Sequence, residues 1–333
     1  MKKLLLAAGS MLLTSMTLAL APQAAHADAD GSCAGKKFVF FPGGGEGDTF
    51  ASIVYRGAQL AQKQTGCHVD YVWSDWNPEK MVAQFKEQIA RKPTGISIMG
   101  HPGEGALSKL IDEARADGII VTTANVDLPD SEGKYKGDGM GYVGQRLYPS
   151  GEMLGNAAFD ICQLKSGDKA LVWGLMGQQG RGERTKGVVD ALKAKGVNVQ
   201  YLEISDSVNK DPSQGVPVFS AYFQSNPDTK AVITDHGTLT ATIPLYFKNA
   251  NADKDKVCGA GFDLSAPTAQ AIKSGYVKAV LDQQPFLQGY LPILQMYLTS
   301  KFGFAGFDVD TGAAIISSKN IDAVAPFAKE GIR

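Results

Sequence analysis

The sequence predicts an α/β protein built from two doubly wound parallel-sheet lobes. The first observation is a regular alternation of short apolar strands with amphipathic helices, which is typical of parallel sheets covered by helices on both faces. The second is that this alternation runs twice along 333 residues, a length sufficient for two ordinary domains. The third is that polar side chains directly follow several strands, at the sheet edge where ligands bind in open α/β proteins.

The first half of the chain contains four strand–helix units. A helix is predicted over residues 50–64, and another begins at Asn77-Pro78, where Met81, Phe85 and Ile89 recur at helical spacing. The predicted strands of this half span residues 37–41, 69–73, 96–99 and 119–123.

A glycine- and charge-rich stretch, residues 127–142, interrupts the alternation. We interpret it as an irregular connection that ends in a first crossing between the lobes, near residues 142–144. The second half then repeats the scheme. Its predicted strands are 170–174, 197–204, 231–234, 257–262 and 276–281, and its predicted helices are 150–164, 182–195, 212–224 and 239–249.

Residues 256–290, KVCGAGFDLSAPTAQAIKSGYVKAVLDQQPFLQGY, carry the most specific pattern. A strand ends at Asp263, a helix follows with Ser265 as the predicted N-cap, a second strand ends before Gln283, and Pro285 opens another helix. This order resembles the simple-sugar-binding proteins of bacterial ABC transporters. The ribose- and galactose-binding type, a type I periplasmic binding protein, is the most similar.

The resemblance covers nearly all of the chain after residue 27. It implies two Rossmann-like lobes joined by a three-strand hinge, with an N-terminal lobe of residues 28–142 plus 284–310 and a C-terminal lobe of 143–283 plus 311–333. In that family the strand-end Asp and the Gln of the hinge strand bond ligand hydroxyls, and these roles fall on Asp263 and Gln283. A simpler role for Asp263 would be to cap the next helix.

The loop PGGGEGDTF, residues 42–50, lies between a strand and a helix, as phosphate-binding loops do. Its spacing fits neither G-x-G-x-x-G nor a P-loop. In the family that it resembles, this loop carries a polar residue and then aromatics that stack on the sugar, and Asp48 and Phe50 take those places. Thr49 stands where the family often has a second aromatic. The alternative is a capping Asp48 and a core Phe50.

Three further candidates follow other strands of the first half. His101 comes after the third strand, where it could donate to a hydroxyl or serve as an ordinary loop histidine. After the fourth strand, the register leaves Asn125 or Asp127 as the ligand contact, and an amide would suit neutral hydroxyls. Trp76 would line the lip of the cleft or lie half-buried at the surface.

In the second half, the segment GERTKG resembles the family segment whose arginine reaches the sugar. Arg184 is the matching residue and Arg181 the second candidate, since a guanidinium can donate two parallel hydrogen bonds. The strand before residue 235 ends in Asp235-His236. His236 is the candidate by alignment, and a shift of one residue would select Asp235 instead.

The first 27 residues have the features of a secretory signal peptide. Lys2 and Lys3 precede an apolar run, and an A-x-A site predicts cleavage after Ala27, so we expect a periplasmic protein. This leader contains two lysines and no acidic residue, and its removal changes the net charge from −1 to −3. A weakly acidic chain has no electrostatic footprint for nucleic acid.

Four cysteines follow the leader, and export would place them in an oxidising compartment. Cys33 and Cys67 precede neighbouring strands at the same edge of a parallel sheet, so their pairing is the more plausible. A Cys162–Cys258 bridge is possible. The spacing of Cys and His fits no metal site.

We therefore expect a solute-binding protein of an ABC importer. It would capture a monosaccharide or related polyol by hinge closure and deliver it to a permease in the inner membrane, as a monomer without cofactor or metal. We expect no enzymatic activity, because the sequence lacks G-x-S-x-G, H-E-x-x-H and redox C-x-x-C motifs. The alternatives are a periplasmic sensor or chemoreceptor partner and a sugar-active hydrolase.

Overall fold

The computed structural model describes residues 33–333, and the strands of this part form two six-stranded sheets. The strands of the first sheet are β1 (Lys37–Phe40), β2 (His68–Tyr71), β3 (Gly95–Met99), β4 (Ile120–Ala124), β5 (Tyr142–Gly144) and β11 (Asp308–Asp310). Those of the second are β6 (Lys169–Gly174), β7 (Asn198–Glu203), β8 (Thr229–Thr234), β9 (Cys258–Phe262), β10 (Val277–Asp282) and β12 (Ala314–Ser317).

The two sheets have equivalent strand orders and differ in the direction of one edge strand. Their strand orders are β11-β5-β4-β3-β1-β2 and β12-β10-β9-β8-β6-β7. Neighbouring strands pair in parallel, apart from β12, which runs antiparallel to β10. This confirms the predicted fold class of two doubly wound α/β lobes. The carboxyl ends of the central strands in each sheet mark its ligand-binding edge.

Helices connect the parallel strands in both lobes. Those on the first sheet are α1 (Thr49–Thr65), α2 (Pro78–Ala90), α3 (Glu104–Ala116), α4 (Pro129–Tyr135) and α11 (Pro285–Phe302). Those on the second are α5 (Leu147–Ile161), α6 (Glu183–Ala194), α7 (Asp206–Lys210), α8 (Gly215–Ser225), α9 (Gly237–Ala250), α10 (Ala266–Lys273) and α12 (Ile321–Lys329). The predicted N-cap Ser265 is confirmed, since its side chain accepts from the amide of Thr268. The predicted helix start at Asn77-Pro78 is also confirmed, with the Asn77 side chain accepting from the amide of Lys80.

The prediction of an irregular connection over residues 127–142 is wrong in its middle, where α4 and a 3-10 turn (Lys136–Asp138) form. The carboxylate of Glu132 explains this local order. It accepts from the amide of Leu128 at 2.8 Å and from the hydroxyl of Thr123 at 2.6 Å, and so anchors the first turn of α4 to the end of β4. The predicted helix 212–224 also differs, because Pro212–Gln214 form a 3-10 turn before α8 begins.

The chain passes between the sheets after β5, after β10 and between β11 and β12. After the second passage, α11 returns to the first lobe and packs closely on α1. A Cβ atom added at Gly57 would lie 2.0 Å from the carbonyl oxygen of Phe286, and one added at Gly289 would lie 1.8 Å from that of Val54. The two glycines therefore permit backbone-to-backbone packing of these helices.

Hydrogen bonds tie the three crossing segments together. The Gln288 side chain on α11 donates to the carbonyl oxygen of Gln283 at 3.0 Å and to the hydroxyl of Thr311 at 3.1 Å. The side-chain amide of Gln284 donates through Nε2 to the carbonyl oxygen of Thr311 at 2.9 Å. Thr311 in turn donates its backbone N–H to Gly144 at the end of β5. The second and third crossings are thus joined to each other and to the first.

Both predicted cysteine pairings are confirmed. Cys33 and Cys67 are bridged with their Cα atoms 4.9 Å apart, and Cys162 and Cys258 with theirs 5.7 Å apart. The predicted leader and its cleavage site lie outside the described residues. Within residues 33–333, every helix is too short or too polar to cross a bilayer.

Candidate ligand-binding site

The strand ends of both lobes face one cleft, and all eight predicted site residues line it: Asp48, Phe50, His101, Asn125, Arg184, His236, Asp263 and Gln283. The lobes also touch beside the cleft. A Cβ atom added at Gly180 of the second lobe would lie 3.4 Å from a methyl group of Val126 in the first. The cleft is therefore in a closed arrangement.

Two arginines and one aspartate form the floor of the second lobe. Arg184 Nε and Arg181 Nη1 donate to the same oxygen, Asp235 Oδ1, at 2.8 and 2.9 Å. The Arg184 guanidinium also lies 4.6 Å from the centre of the Phe262 ring, a cation–π contact. Arg184 Nη1 and Asp235 Oδ2 have no hydrogen-bond partner among residues 33–333. Arg184 thus has a spare donor in the wall of the cleft.

These charges hold one another in their ionised states. Burial on its own would raise the pKa of Asp235, but Arg181 and Arg184 hold it well below its ordinary value. Burial, with help from Arg184, lowers the pKa of Arg181 to about 10, so the Arg181 guanidinium stays charged at neutral pH. The carboxyl of Asp263 is the second acid near this pair. Two positive groups therefore face two acidic groups.

Asp263, Gln283 and Asn125 form a hydrogen-bonded chain from one lobe to the other. Asn125 Nδ2 donates to Gln283 Oε1 at 3.0 Å, and Gln283 Nε2 donates to Asp263 Oδ1 at 2.5 Å. The other Asp263 oxygen accepts from the Gly237 amide at 2.8 Å, so Asp263 also caps α9. Burial raises the pKa of Asp263, although Arg184 and these hydrogen bonds oppose the rise.

A histidine from each lobe enters the cleft. His101 follows β3 and His236 follows β8, and both are half-buried. His101 Nδ1 and both ring nitrogens of His236 are buried without a hydrogen-bond partner in the described part of the chain. Burial first, and the nearby Arg181 and Arg184 second, lower the pKa of His101 to about 3. Burial and the same arginines lower that of His236 to about 3, against the pull of Asp235. Each neutral ring offers one donor and one acceptor.

Aromatic rings form the wall on the first lobe. The ring of Trp76 lies 5.8 Å from that of Phe50 and 4.9 Å from that of His101, measured between centroids. Asp48 Oδ1 caps α1 by accepting from the Ala51 amide at 2.7 Å, and its Oδ2 accepts from Trp76 Nε1 at 3.0 Å. Asp48 is therefore both a helix cap and a cleft residue. Trp76, from a different loop, supplies the second aromatic that Thr49 does not.

The two members of each open register occupy different positions in the structure. His236 lines the cleft, whereas Asp235 lies beneath the arginines. Asn125 lines the cleft, whereas Asp127 lies 3.6 Å from Arg146 in an ion pair near the first crossing. Several lining residues on loops and helices of the second lobe were not predicted from the sequence, namely Leu175, Gln178, Asn209, Gly237 and Thr238. Gln178 follows a strand end, and this position could have identified it.

The arrangement suits the binding of a neutral, hydroxylated molecule. Guanidinium, amide, imidazole and carboxylate groups present both donors and acceptors, and the aromatic wall can contact C–H groups. Across residues 33–333, the His, Cys, Asp and Glu side chains form no group of three or more that could hold a metal ion.

Comparisons with known proteins agree with this geometry. The chain is 26% identical over 252 residues to a xylose/arabinose-binding protein of Sulfolobus acidocaldarius, which covers 72% of this chain and 61% of that relative, less than two thirds of its length. It is also 26% identical over 241 residues to a ribose import binding protein of Haemophilus influenzae, and the match covers 72% of this chain and 77% of that relative.

Solved structures share the fold. A carbohydrate transporter from Acidothermus cellulolyticus, in complex with myo-inositol, superposes with a TM-score of 0.76 at 23% identity, covering 90% of this chain and 99% of the other. A solute-binding protein from Burkholderia graminis, in complex with D-arabinose, superposes with a TM-score of 0.75 at 20% identity. This match covers 87% of this chain and 97% of the other. Residues 38–301 match the model for the periplasmic binding protein domain. The chain therefore belongs to the periplasmic binding protein family.

Proposed function

We propose that this protein is an exported solute-binding protein of an ABC importer. It captures a monosaccharide or related polyol in the cleft and delivers it to a permease in the inner membrane. It acts in the periplasm as a monomer, after cleavage of its leader at Ala27, and it catalyses no reaction. The observation that carries the proposal is the convergence of eight hydrogen-bonding and aromatic side chains, from strand ends of both lobes, on one cleft.

The charge balance of the cleft favours a neutral ligand. Arg181 and Arg184 are offset by Asp235 and by Asp263, and both cleft histidines are neutral. An anionic sugar would gain little from guanidiniums that are already paired. The relatives point to the same class, since their names refer to xylose, arabinose and ribose, and a neighbour of the same fold holds myo-inositol.

Capture proceeds by closure about the crossing segments. The chain crosses between the lobes near residues 142, 283 and 310. Gln283 lies in the second crossing and also lines the cleft. The ligand first binds one lobe, and rotation about these segments brings the other lobe over it. Specificity arises because a molecule that lacks one hydroxyl would leave a buried donor or acceptor unpaired, as Arg184 Nη1 would be.

A thermal-shift screen tests the proposal. The probes are D-ribose, D-xylose, L-arabinose, D-arabinose, D-galactose, D-fucose and myo-inositol, added to the purified mature protein. A probe at about one hundred times its dissociation constant should stabilise the protein by about 2.7 kcal/mol. Arg184→Ala and Asp263→Ala should abolish this shift, whereas Arg91→Ala, on the exposed end of α2, should leave it unchanged.

Two results would contradict the proposal. One is a wild-type protein that no probe stabilises. The other is a pair of cleft variants that bind a probe as tightly as the wild type, although their ligand-free melting temperatures show them to be folded. Absence of catalysis is tested separately: after prolonged incubation, the bound probe should be recovered chemically unchanged by mass spectrometry.

A further inference from the structure

The glycine-rich loop after β1 has no phosphate-binding spacing, and the structure gives it another role. We propose that Trp76 is a ligand-contacting wall of the cleft, that Gly43 and Gly44 of this loop seat its indole, and that Asp48 positions it. This inference rests on the proposed function, because it concerns how the same cleft holds a sugar ring.

The glycines leave room for the indole. A Cβ atom added at Gly43 would lie 2.2 Å from Trp76 Cζ3, and one added at Gly44 would lie 2.7 Å from Trp76 Nε1. Gly43 also has φ +94°, a conformation that side chains other than glycine rarely adopt. By contrast, a Cβ atom at Gly47 would meet nothing within 4 Å. The requirement for glycine is therefore strongest where the loop touches the tryptophan.

Three hydrogen bonds fix the tryptophan against this loop. Its backbone N–H donates to the Gly43 carbonyl at 3.0 Å, and the neighbouring Asp75 N–H donates to the Gly44 carbonyl at 3.3 Å. The indole Nε1 donates to Asp48 Oδ2 at 3.0 Å. These bonds hold the ring in one orientation beside Phe50. A rigid aromatic surface costs little conformational entropy when a ligand binds.

The backbone at this point is held in an unfavourable conformation. Asp75 and Trp76 both have φ +54°, in the left-handed region that a bulky residue such as tryptophan rarely occupies. Two such residues in succession persist only where their surroundings impose the conformation, and such positions are concentrated at ligand sites. Contacts with the glycine loop impose this conformation, and the half-buried indole that they hold both packs against the core of the first lobe and lines the cleft.

The geometry assigns different tasks to Asp48 and Trp76. Each carboxylate oxygen of Asp48 already accepts a hydrogen bond, one from Ala51 and one from Trp76. Asp48 therefore acts mainly through the indole, as a positioning residue. The ring itself offers the ligand a flat apolar face, which suits the C–H face of a cyclic sugar better than an open-chain polyol.

The test uses the best-binding cyclic sugar of the panel and the open-chain polyol D-glucitol. Trp76→Ala should weaken binding of the cyclic sugar about tenfold or more, the fold-change that ~1.4 kcal/mol produces. Any binding of D-glucitol should change less. The matched control is Trp73→Ala on the same loop, where the side chain packs on Tyr55 and does not line the cleft. Its affinity should remain within about twofold of the wild type.

A second pair of variants leaves the tryptophan in place. Gly43→Ala should push the indole out of position and weaken binding, whereas Gly47→Ala should not. Asp48→Asn turns one acceptor into a donor, so it should make tryptophan fluorescence more accessible to acrylamide quenching. Ser265→Ala, which removes only the cap of α10, should not change that accessibility. Circular dichroism of each ligand-free variant verifies that it is folded.

The possible outcomes separate the two proposals. If the wild type binds a cyclic sugar and Trp76→Ala and Gly43→Ala are folded and bind it within about twofold as tightly, this inference is wrong and the proposed function stands. If the wild type binds none of the probes, the proposed function fails and this inference fails with it.

Discussion

The two cleft histidines should make ligand affinity depend on pH. In the closed form His101 and His236 are neutral, because burial between the lobes and the nearby Arg181 and Arg184 lower each pKa to about 3. Opening the cleft returns them to water, where the pKa of a histidine is about 6.5. The open form therefore binds protons that the closed form must release. Closure is unimpaired above about pH 6.5 and becomes less favourable as the pH falls from there towards 3.

The size of the effect follows from these pKa values. At pH 5 an open-form histidine lies about 1.5 units below its ordinary pKa, so its deprotonation costs about 2 kcal/mol, or about 30-fold in affinity. Two fully independent histidines would give about 1,000-fold. His236 keeps Asp235, Arg181 and Arg184 beside it when the cleft opens, and Asp235 raises its pKa while the two arginines lower it. The figure of about 30-fold applies if only His101 returns to its ordinary pKa, and the figure of about 1,000-fold applies if both histidines do. We therefore expect a loss of between about 30-fold and 1,000-fold.

Calorimetry of the best-binding neutral sugar, between about pH 7.5 and 5 at constant ionic strength, measures this dependence. The double variant His101→Gln/His236→Gln should flatten the dependence. His68→Gln is the matched control, because His68 is exposed and paired with Asp70 outside the cleft. Titrations in buffers of different ionisation enthalpy should show proton release on binding below about pH 6.5. Wild-type affinity that stays within threefold over this range, or a double variant with the wild-type slope, would refute the reasoning.

Three further predictions concern stability. Asp235→Asn should lower the free energy of unfolding by about 3–5 kcal/mol in chemical denaturation, because it removes the charge partner of two buried arginines. Asp228→Asn, in a solvent-exposed pair with Lys169, should change the free energy of unfolding far less. Gly289→Ala should destabilise the protein by forcing α11 away from α1, whereas Gly133→Ala, exposed within α4, should raise stability by about 0.5–1 kcal/mol. Reduction of the two disulfides should lower the melting temperature, with the larger loss from the bridge that closes a sequence separation of 96 residues than from the one that closes 34.

Most of the fold and the strand-end residues of the site were predictable from the sequence, because both depend on local signals. Strand–helix alternation is a periodic pattern, and the rule that ligands meet the carboxyl ends of parallel strands then places Asn125 and Asp263 in one cleft. Helix α4 was not predicted because Gly133 and many charges weaken its helical pattern. The hydrogen bond that ties its start to β4, from the Thr123 hydroxyl to Glu132, depends on the folded structure. Trp76 remained undecided because its left-handed backbone follows from contacts with the glycine loop and from no propensity of its own.

The missed charge arrangement has a similar cause. A sequence shows that Arg181 and Arg184 lie three residues apart at the start of a helix, so they are expected near each other. The sequence does not show that Asp235, directly after β8, lies beneath both arginines and leaves His236 to face the cleft. A register difference of one residue at a strand end exchanges the two side chains between floor and wall, and only the packed strand fixes it.

Equivalent strands of the two sheets contribute equivalent residues to the site. β4 and β9 occupy the same place in their sheets, and each is followed by a residue in the left-handed conformation, Asn125 (φ +65°) and Asp263 (φ +70°). These two residues hydrogen-bond to Gln283, which belongs to a crossing segment. The polar chain therefore joins equivalent strand ends through the segment about which the lobes rotate. Because Asn125 and Asp263 lie on different lobes, a rotation that separates their side chains would lengthen or break one of these bonds, so this polar chain contributes to holding the cleft closed.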